Sequence, residues 1–237
     1  MRLYKFLNGK YGLEAIFNKR LKISIITNLN DPFDFLGHDL SYPKVTDLLT
    51  GTMDNASNDF GLISFSMHSN NPLLWSHYSD NHKGICLGFD VLGITDINKV
   101  DYLDKRIELP DFLIEFGESD KNKKEFKINK ENQKKLESFM GDLMRFKYKN
   151  WEYENEYRAF PSINDPDIDE ISYSDDKILF FKKFSEELVL KEVIIGVKSE
   201  IDESAIGNFL KKFQKEVGLF RAFCPENNQF LLDKKPV

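Results

Sequence analysis

The chain has 237 residues, of which 41% are hydrophobic and 14% aromatic, and it carries a formal net charge of −6. This composition is typical of a globular protein, and the negative charge disfavours a protein that wraps duplex nucleic acid by neutralising phosphates. Two distant cysteines exclude a disulfide scaffold, the charged first residues do not resemble a signal peptide, and no apolar run approaches the roughly 18 residues that span a bilayer. We therefore expect a soluble, cytoplasmic protein without a membrane partner.

Hydrophobic periodicity predicts strands and helices along the whole chain. The predicted strands cover residues 2–7, 23–26, 62–67, 85–89, 151–158, 188–197, 219–223 and 229–232, and the predicted helices cover residues 13–21, 45–49, 72–78, 136–144 and 206–213. The polar stretch 33–60 is expected to form a surface loop, with a short helix, that borders a site. No internal repeat or linker divides the sequence. We therefore expect one α+β domain over residues 1–237, with a mixed, largely antiparallel sheet flanked by helices.

The segment 151–158 concentrates acidic side chains in the sequence WEYENEYR. As a strand it would place Glu152, Glu154, Glu156 and Arg158 on one face and aromatic side chains on the other. Like charges on one face repel unless a cation, solvent or a ligand separates them. Arg158 would keep Glu156 ionised and leave Glu154 with a higher pKa, which is the separation that a general base or a ribose-binding carboxylate requires. A plain solvent-facing strand is the alternative interpretation.

Metal and nucleophile sites receive little support from the sequence. The residues that suggest zinc by proximity are His68, His77, His82 and Cys86. Their spacing fits no zinc motif, so we expect no metal. Ser64 and Ser66 could pair with His77 as nucleophile and base, but the chain has neither a nucleophile elbow nor a Gly-rich phosphate loop.

Two short segments allow both a structural and a functional interpretation. Asn71 can cap a helix that begins at Pro72, and this helix carries Trp75 and Tyr78 on one face. These rings either pack in the core or form an aromatic wall for a flat ligand. Asn30 and Asp31 precede a proline, so they form a turn or line the edge of a site.

The motifs occur in a fixed order along the chain. They are LYK (residues 3–5), LNDPFD (29–34), SFS (64–66), LWSHY (74–78), HKG (82–84) and WEYENEYR (151–158). In this order they resemble the bacterial and phage family catalogued as domain of unknown function 2971, over most of the chain. That resemblance indicates kinship and implies no activity.

A more distant resemblance is to ADP-ribosyltransferases that present a basic residue, a Ser-Thr-Ser-like strand and a Glu-x-Glu strand in this order. The corresponding elements here are Arg2 or Lys5, Ser64-Phe65-Ser66 and Glu154-Asn155-Glu156, with Phe65 in place of the middle Thr. The resemblance implies an ADP-ribosyltransferase-like fold, a basic residue on the NAD phosphates, Glu156 on the nicotinamide ribose, and Glu154 as the group that activates the acceptor. Together with the residues singled out above, the candidate catalytic residues are Glu156, Glu154 and His77, the candidate NAD-binding residues are Lys5, Ser64, Ser66, Trp75, Tyr78 and Arg158, and Asn30 and Asp31 are candidates for the substrate-side loop.

We therefore expect an enzyme that cleaves the glycosidic bond of NAD, with NAD as substrate and no metal. Its acceptor would be a protein, a nucleic acid or water, and its biological role that of a toxin or an anti-phage effector. Two alternatives stay open. One is a regulatory module that captures an unidentified partner protein through the Trp75–Tyr78 region, and the other is a hydrolase or nuclease that uses Glu154, Glu156 and His77.

Overall fold

A mixed sheet of eleven strands forms the centre of the structure. The structure is a computed structural model, and it describes residues 1–26, 29, 31–92, 97–119, 129–174, 177–213, 216–226 and 229–237. The strands are β1 (Arg2–Leu7), β2 (Arg20–Ile25), β3 (Gly61–Ser66), β4 (Ile85–Val91), β5 (Ile97–Lys99), β6 (Asp101–Leu103), β7 (Phe146–Tyr148), β8 (Glu156–Ala159), β9 (Ile168–Ser174), β10 (Lys177–Lys183), β11 (Leu188–Ile195), β12 (Gly218–Phe223) and β13 (Asp233–Pro236). The helices are α1 (Gly9–Asn18), α2 (Pro43–Ala56), α3 (Pro72–Tyr78), α4 (Asp111–Glu118), α5 (Lys130–Leu143), α6 (Glu203–Phe213) and a 3-10 helix (Lys149–Glu154).

The strand order of the sheet is β13-β12-β11-β4-β1-β3-β2-β10-β9, and β8 pairs with both β3 and β5. Strands β11 and β12 pair in parallel, whereas the other pairings in this sheet are antiparallel. Strands β6 and β7 form a separate parallel pair. The predicted α+β class with a mixed, largely antiparallel sheet is confirmed.

Strand β3 is the branch point of the sheet. Its first residues pair with β2 (Ser24 opposite Leu62) and its last residue pairs with β1 (Tyr4 opposite Ser66). The opposite edge of β3 pairs with β8, where Ser66 lies opposite Glu156. Strands β1 and β2 therefore diverge along one edge of β3, which leaves room for side chains between them.

Three clusters of buried apolar side chains hold these elements together. One packs α1 and α6 against the sheet and includes Ile16, Phe89 and Ile206. The second joins α2, α4 and α5 beside β2 and β3, and the third surrounds Trp75 next to β1, β4 and β11. Burial of apolar surface is the main stabilising contribution in such clusters. The clusters therefore support the diverging strands β1 and β2 on both sides.

The predicted strand over residues 151–158 is wrong in its first half. Residues 149–154 form the 3-10 helix, and Asn155 then adopts the left-handed conformation (φ 43°) before β8 begins at Glu156. Asn tolerates this conformation better than most residues. The turn breaks the two-residue alternation, so Glu152 is exposed while Glu154, Glu156 and Arg158 are all buried.

Other element predictions need correction as well. The stretch 33–60 contains a longer helix than predicted, because Pro43 starts α2 and Val45, Leu49 and Met53 recur on its buried face. The predicted strand 229–232 is wrong, since the last strand is β13. Strands β9 and β10 and helix α4 were not predicted. By contrast, the Asn71 cap of α3 is confirmed, with its Oδ1 accepting from the Leu73 amide at 2.9 Å.

Candidate functional site

A cavity of about 190 Å³ opens where β1 and β2 diverge beside β3. Charged residues reach its wall from separate parts of the chain: Lys5 from β1, Asp34 from the segment after β2, Lys147 from β7 and Glu156 from β8. Polar and aromatic neighbours on the same wall include Ser64, Ser66, Tyr78, Trp151 and Glu154. A concave site with several converging polar groups is the usual form of a binding or catalytic site.

Glu154 is the last residue of the 3-10 helix, and only 4% of its surface is exposed. Tyr78 donates its hydroxyl to Oε1 and Lys147 donates Nζ to Oε2, both at 2.6 Å. The Ser66 hydroxyl donates to the Glu154 carbonyl at 2.6 Å, which fixes the 3-10 helix to β3. Burial raises the pKa of Glu154, and the Lys147 charge and the Tyr78 hydrogen bond offset this only in part.

Glu156 is equally buried, but two cations surround it. Arg158 Nε donates to Oε1 and Lys147 Nζ donates to Oε2, each at 3.0 Å. Burial opposes ionisation of Glu156, yet the charges of Arg158 and Lys147 outweigh it and lower its pKa to about 2. The two carboxylates therefore differ in the direction of their pKa shifts, as the sequence predicts.

Arg158 supports this arrangement from behind the cavity wall. Its side chain is 1% exposed, Nη2 donates to Asp34 Oδ1 at 2.6 Å, and Nη1 donates to the Met144 carbonyl at 3.1 Å. Its guanidinium also lies 5.5 Å from the centre of the Phe35 ring. Because its donors are engaged by protein groups and it does not line the cavity, the structure places Arg158 as a support for Glu156.

Lys5 lies between the diverging strands. Its Nζ donates to the Ser64 carbonyl at 2.9 Å, on the edge of β3 that faces β1 and β2. Burial penalises the ammonium and lowers the pKa of Lys5 to about 8, although the charges of Glu156 and Glu154 act in the opposite direction. Lys5 is thus a cation on the cavity wall whose charge changes near neutral pH.

The structure also decides between the two basic candidates of the first strand. Arg2 forms ion pairs with Asp90 (2.6 Å) and Glu192 (2.8 Å) and does not line the cavity. Only Lys5 reaches the acidic site. Side chains three residues apart on a strand point to opposite faces, so the alternation along β1 separates Arg2 from Lys5.

Several predicted site residues lie elsewhere. Trp75 is fully buried in the core, where it contacts Phe6 edge to face and donates Nε1 to the Ser69 carbonyl at 2.7 Å. It does not line this cavity. His77 is exposed, with its ring 6.3 Å from that of Trp151, and also lies outside the cavity. Asp31 lines the cavity, whereas Asn30 falls outside the described residues.

Among the wall residues that sequence reasoning missed are Asp34, Lys147 and Trp151. Lys147 Nζ lies 5.0 Å from the centre of the Trp151 ring. Trp151 and Tyr78 are among the aromatic residues that line the cavity, whereas Trp75 is not. One signal could have indicated a missing cation. Two buried carboxylates need counter-charges, and Arg158 alone cannot serve both.

Within the described part of the chain, no set of three or more His, Cys, Asp or Glu side chains is arranged to hold a metal ion. No helix among those residues combines the length and apolar character needed to cross a bilayer. Cys86 is buried and Cys224 is exposed, and neither forms a disulfide.

Comparison with known proteins gives one match. Residues 74–159, which contain most of α3, the 3-10 helix and β8, match the family model described as "Protein of unknown function (DUF2971)". This match supports the resemblance to that family over the matched segment. No curated protein and no solved structure matches the chain. The resemblance to ADP-ribosyltransferases finds no support in these comparisons.

Proposed function

We propose that the cavity binds NAD and cleaves the bond between nicotinamide N1 and ribose C1′. The observation that carries the proposal is the pair of buried carboxylates on one cavity wall, with the pKa of Glu156 lowered and that of Glu154 raised. Enzymes that cleave glycosidic bonds commonly use one carboxylate that stays ionised and a second that exchanges a proton. The environment of each glutamate matches one of these roles.

Glu156 would stabilise the transition state. Heterolysis moves the bonding electron pair onto the pyridinium nitrogen, which leaves as neutral nicotinamide, while C1′ acquires oxocarbenium character. A fixed carboxylate in a site shielded from water stabilises this positive charge more strongly than bulk water does. Lys147 and Arg158 keep Glu156 ionised and hold its orientation.

Glu154 would activate the acceptor. The acceptor hydroxyl, or water in the simplest case, attacks C1′, and its proton passes to the Glu154 carboxylate. With water the products are nicotinamide, ADP-ribose and a proton that Glu154 returns to solvent. A raised pKa brings Glu154 closer to the working pH, which is where a general base is most effective.

The remaining wall residues would position the substrate. Lys5 supplies the only cation of β1 that lines the cavity, and it would pair with the pyrophosphate. Tyr78 and Trp151 supply aromatic surface for the nicotinamide ring. Turnover of NAD inside a cell would deplete a central cofactor, which fits the expected role as a toxin or anti-phage effector, with protein or nucleic acid as alternative acceptors.

Nicotinamide release from NAD by the purified protein tests the proposal. We expect the wild type to release nicotinamide, and Glu156→Gln to reduce the rate by roughly 100-fold or more, the range seen for a positioned catalytic group. Glu152→Gln is the matched control, because Glu152 belongs to the same segment but is exposed. Equal rates for wild type and Glu156→Gln, or no release by the wild type, would contradict the proposal.

A further inference from the structure

A second cavity, of about 290 Å³, adjoins the first. Leu29, Asp31 and Asp34 line both cavities, so the segment between β2 and α2 forms the boundary that they share. Each cavity alone is smaller than the roughly 300–1,000 Å³ of typical ligand pockets, but the two together fall within that range. A ligand longer than the first cavity would extend into the second.

The second cavity has mainly apolar walls. Buried aliphatic and aromatic side chains line it, from α2, from α5 and from the segment between β2 and α2: Ile26, Phe35, Leu49, Met53 and Leu143. Such walls favour a flat, weakly polar group over a phosphate or a sugar, because polar groups lose hydration there without replacement. The polar residues of its lining are Asp31, Asp34, His38, Thr50 and Asp54.

His38 and Asp31 each carry a buried polar atom that has no hydrogen-bond partner among the described residues. In His38, which is fully buried, Nε2 lies 3.4 Å from the Thr46 hydroxyl and Nδ1 is unpartnered. In Asp31, Oδ1 accepts from the Phe33 amide at 2.9 Å and Oδ2 is unpartnered. A buried polar atom without a hydrogen-bond partner is unfavourable, and a ligand that satisfies both atoms removes that penalty.

The chemistry of these two atoms specifies the ligand edge. Oδ2 of an ionised aspartate can only accept a hydrogen bond, whereas the tautomer of His38 that accepts from the Thr46 hydroxyl leaves Nδ1–H as a donor. The complementary edge therefore needs a donor next to an acceptor. Adenine has this edge, because its 6-amino group donates beside a ring nitrogen that accepts.

We propose that the second cavity holds the adenine base of the dinucleotide, with Asp31 accepting from the 6-amino group and His38 donating to a ring nitrogen. This inference rests on the proposed function, which places the nicotinamide end in the first cavity. The dinucleotide would then pass from one cavity to the other beside Leu29, which lines both. Phe35 and the aliphatic walls contact the faces of the base.

The test compares NAD with nicotinamide hypoxanthine dinucleotide, in which a 6-oxo acceptor replaces the 6-amino donor. For the wild type we expect kcat/KM for nicotinamide release to be at least about tenfold higher with NAD, the discrimination of one misplaced hydrogen-bond pair. Asp31→Asn keeps Oδ1 for the Phe33 amide but presents an NH2 group in place of Oδ2. It should abolish or invert this preference, whereas Asp47→Asn, on the exposed side of α2, should retain it.

The outcomes separate this inference from the proposed function. If both dinucleotides are cleaved equally and Asp31→Asn changes nothing, the adenine site is refuted and NAD cleavage stands. If neither is cleaved, NAD cleavage is refuted, and calorimetry with ADP-ribose decides the adenine site alone. If the wild type binds ADP-ribose and Asp31→Asn weakens that binding at least about tenfold, the adenine site is supported. If the folded wild type does not bind ADP-ribose, the adenine site is overturned.

Discussion

Glu154 and Glu156 accept hydrogen bonds from the same ammonium group, that of Lys147, at 2.6 and 3.0 Å. The shared cation reduces the repulsion between the two carboxylates, which both lie in a buried site. The second cation, Arg158, bonds to Glu156 and to Asp34 but not to Glu154. This asymmetry explains why the two glutamates have opposite pKa shifts, and the proposed division of roles follows from it.

Substitution of Glu156 should change stability in a pH-dependent way. The folded-state pKa of Glu156, about 2, lies below the ordinary value of 4.5. The ionised side chain therefore contributes fully to the free energy of unfolding above pH 4.5, and this contribution is lost as the pH falls toward 2. We expect Glu156→Gln to lower the free energy of unfolding by about 3 kcal/mol at pH 7. Urea denaturation at pH 7, 5 and 3.5 measures this difference, which should shrink only at the lowest pH. A difference that stays constant down to pH 3.5 would contradict the assignment of these ion pairs.

Removal of Lys147 should be among the most destabilising single changes at the site. Lys147→Met leaves two buried carboxylates with one cation fewer, and breaking a buried ion pair costs about 3–5 kcal/mol. Lys149→Met is the matched control, since Lys149 is exposed and its pair with Asp104 (3.2 Å) also lies at the surface. An exposed pair of this kind contributes at most about 1 kcal/mol. Urea denaturation at pH 7 compares the two variants, and similar losses of stability would disprove the buried network.

Tyr78→Phe should shift the pH dependence of catalysis. The Tyr78 hydroxyl donates to Glu154 Oε1, and this hydrogen bond lowers the pKa of Glu154. Its removal raises that pKa, so a larger fraction of Glu154 is protonated and unable to accept a proton at a given pH. We expect the acid limb of the kcat profile to move up by about 1 pH unit. Tyr148→Phe, at an exposed tyrosine, should leave the profile in place, and an unshifted profile in Tyr78→Phe would remove Glu154 from the role of base.

Lys5 should make NAD affinity depend on pH. Its pKa of about 8 means that the ammonium loses its proton as the pH rises through that value. Loss of a charged hydrogen bond to the pyrophosphate should weaken NAD binding by about tenfold between pH 7 and pH 9. Arginine stays charged over this range, so Lys5→Arg should bind NAD with a flat pH profile. Calorimetric titration at both pH values measures the affinity for NAD. If the affinity of Lys5→Arg falls as much as that of the wild type, the pH dependence belongs to another group.

The sequence predicts the parts of the site that local patterns determine. Alternation in β1 and β3 indicates which side chains share a face, and the Asn71–Pro72 pair marks the start of α3. The opposite pKa shifts of Glu154 and Glu156 also follow from the position of Arg158. These features depend on residues that are close in sequence.

The sequence does not predict contacts that the fold makes over long distances. The Asp34–Arg158 pair joins residues 124 positions apart. Lys147 is close to the glutamates in sequence, but its role depends on how β7 packs beside the 3-10 helix. Trp75 is misleading for a different reason, because an aromatic residue on the inner face of a short helix has the same pattern whether it faces the core or a ligand.

Proton NMR of NAD incubated with the purified wild-type protein tests the central claim most directly, because it identifies which bond of the dinucleotide breaks. The account predicts that the anomeric signal of the nicotinamide ribose disappears while free nicotinamide and ADP-ribose appear in equal amounts, and that Glu156→Gln leaves the NAD signals unchanged over the same time. NAD that stays intact with the wild type, or that splits at the pyrophosphate into two mononucleotides, would contradict it.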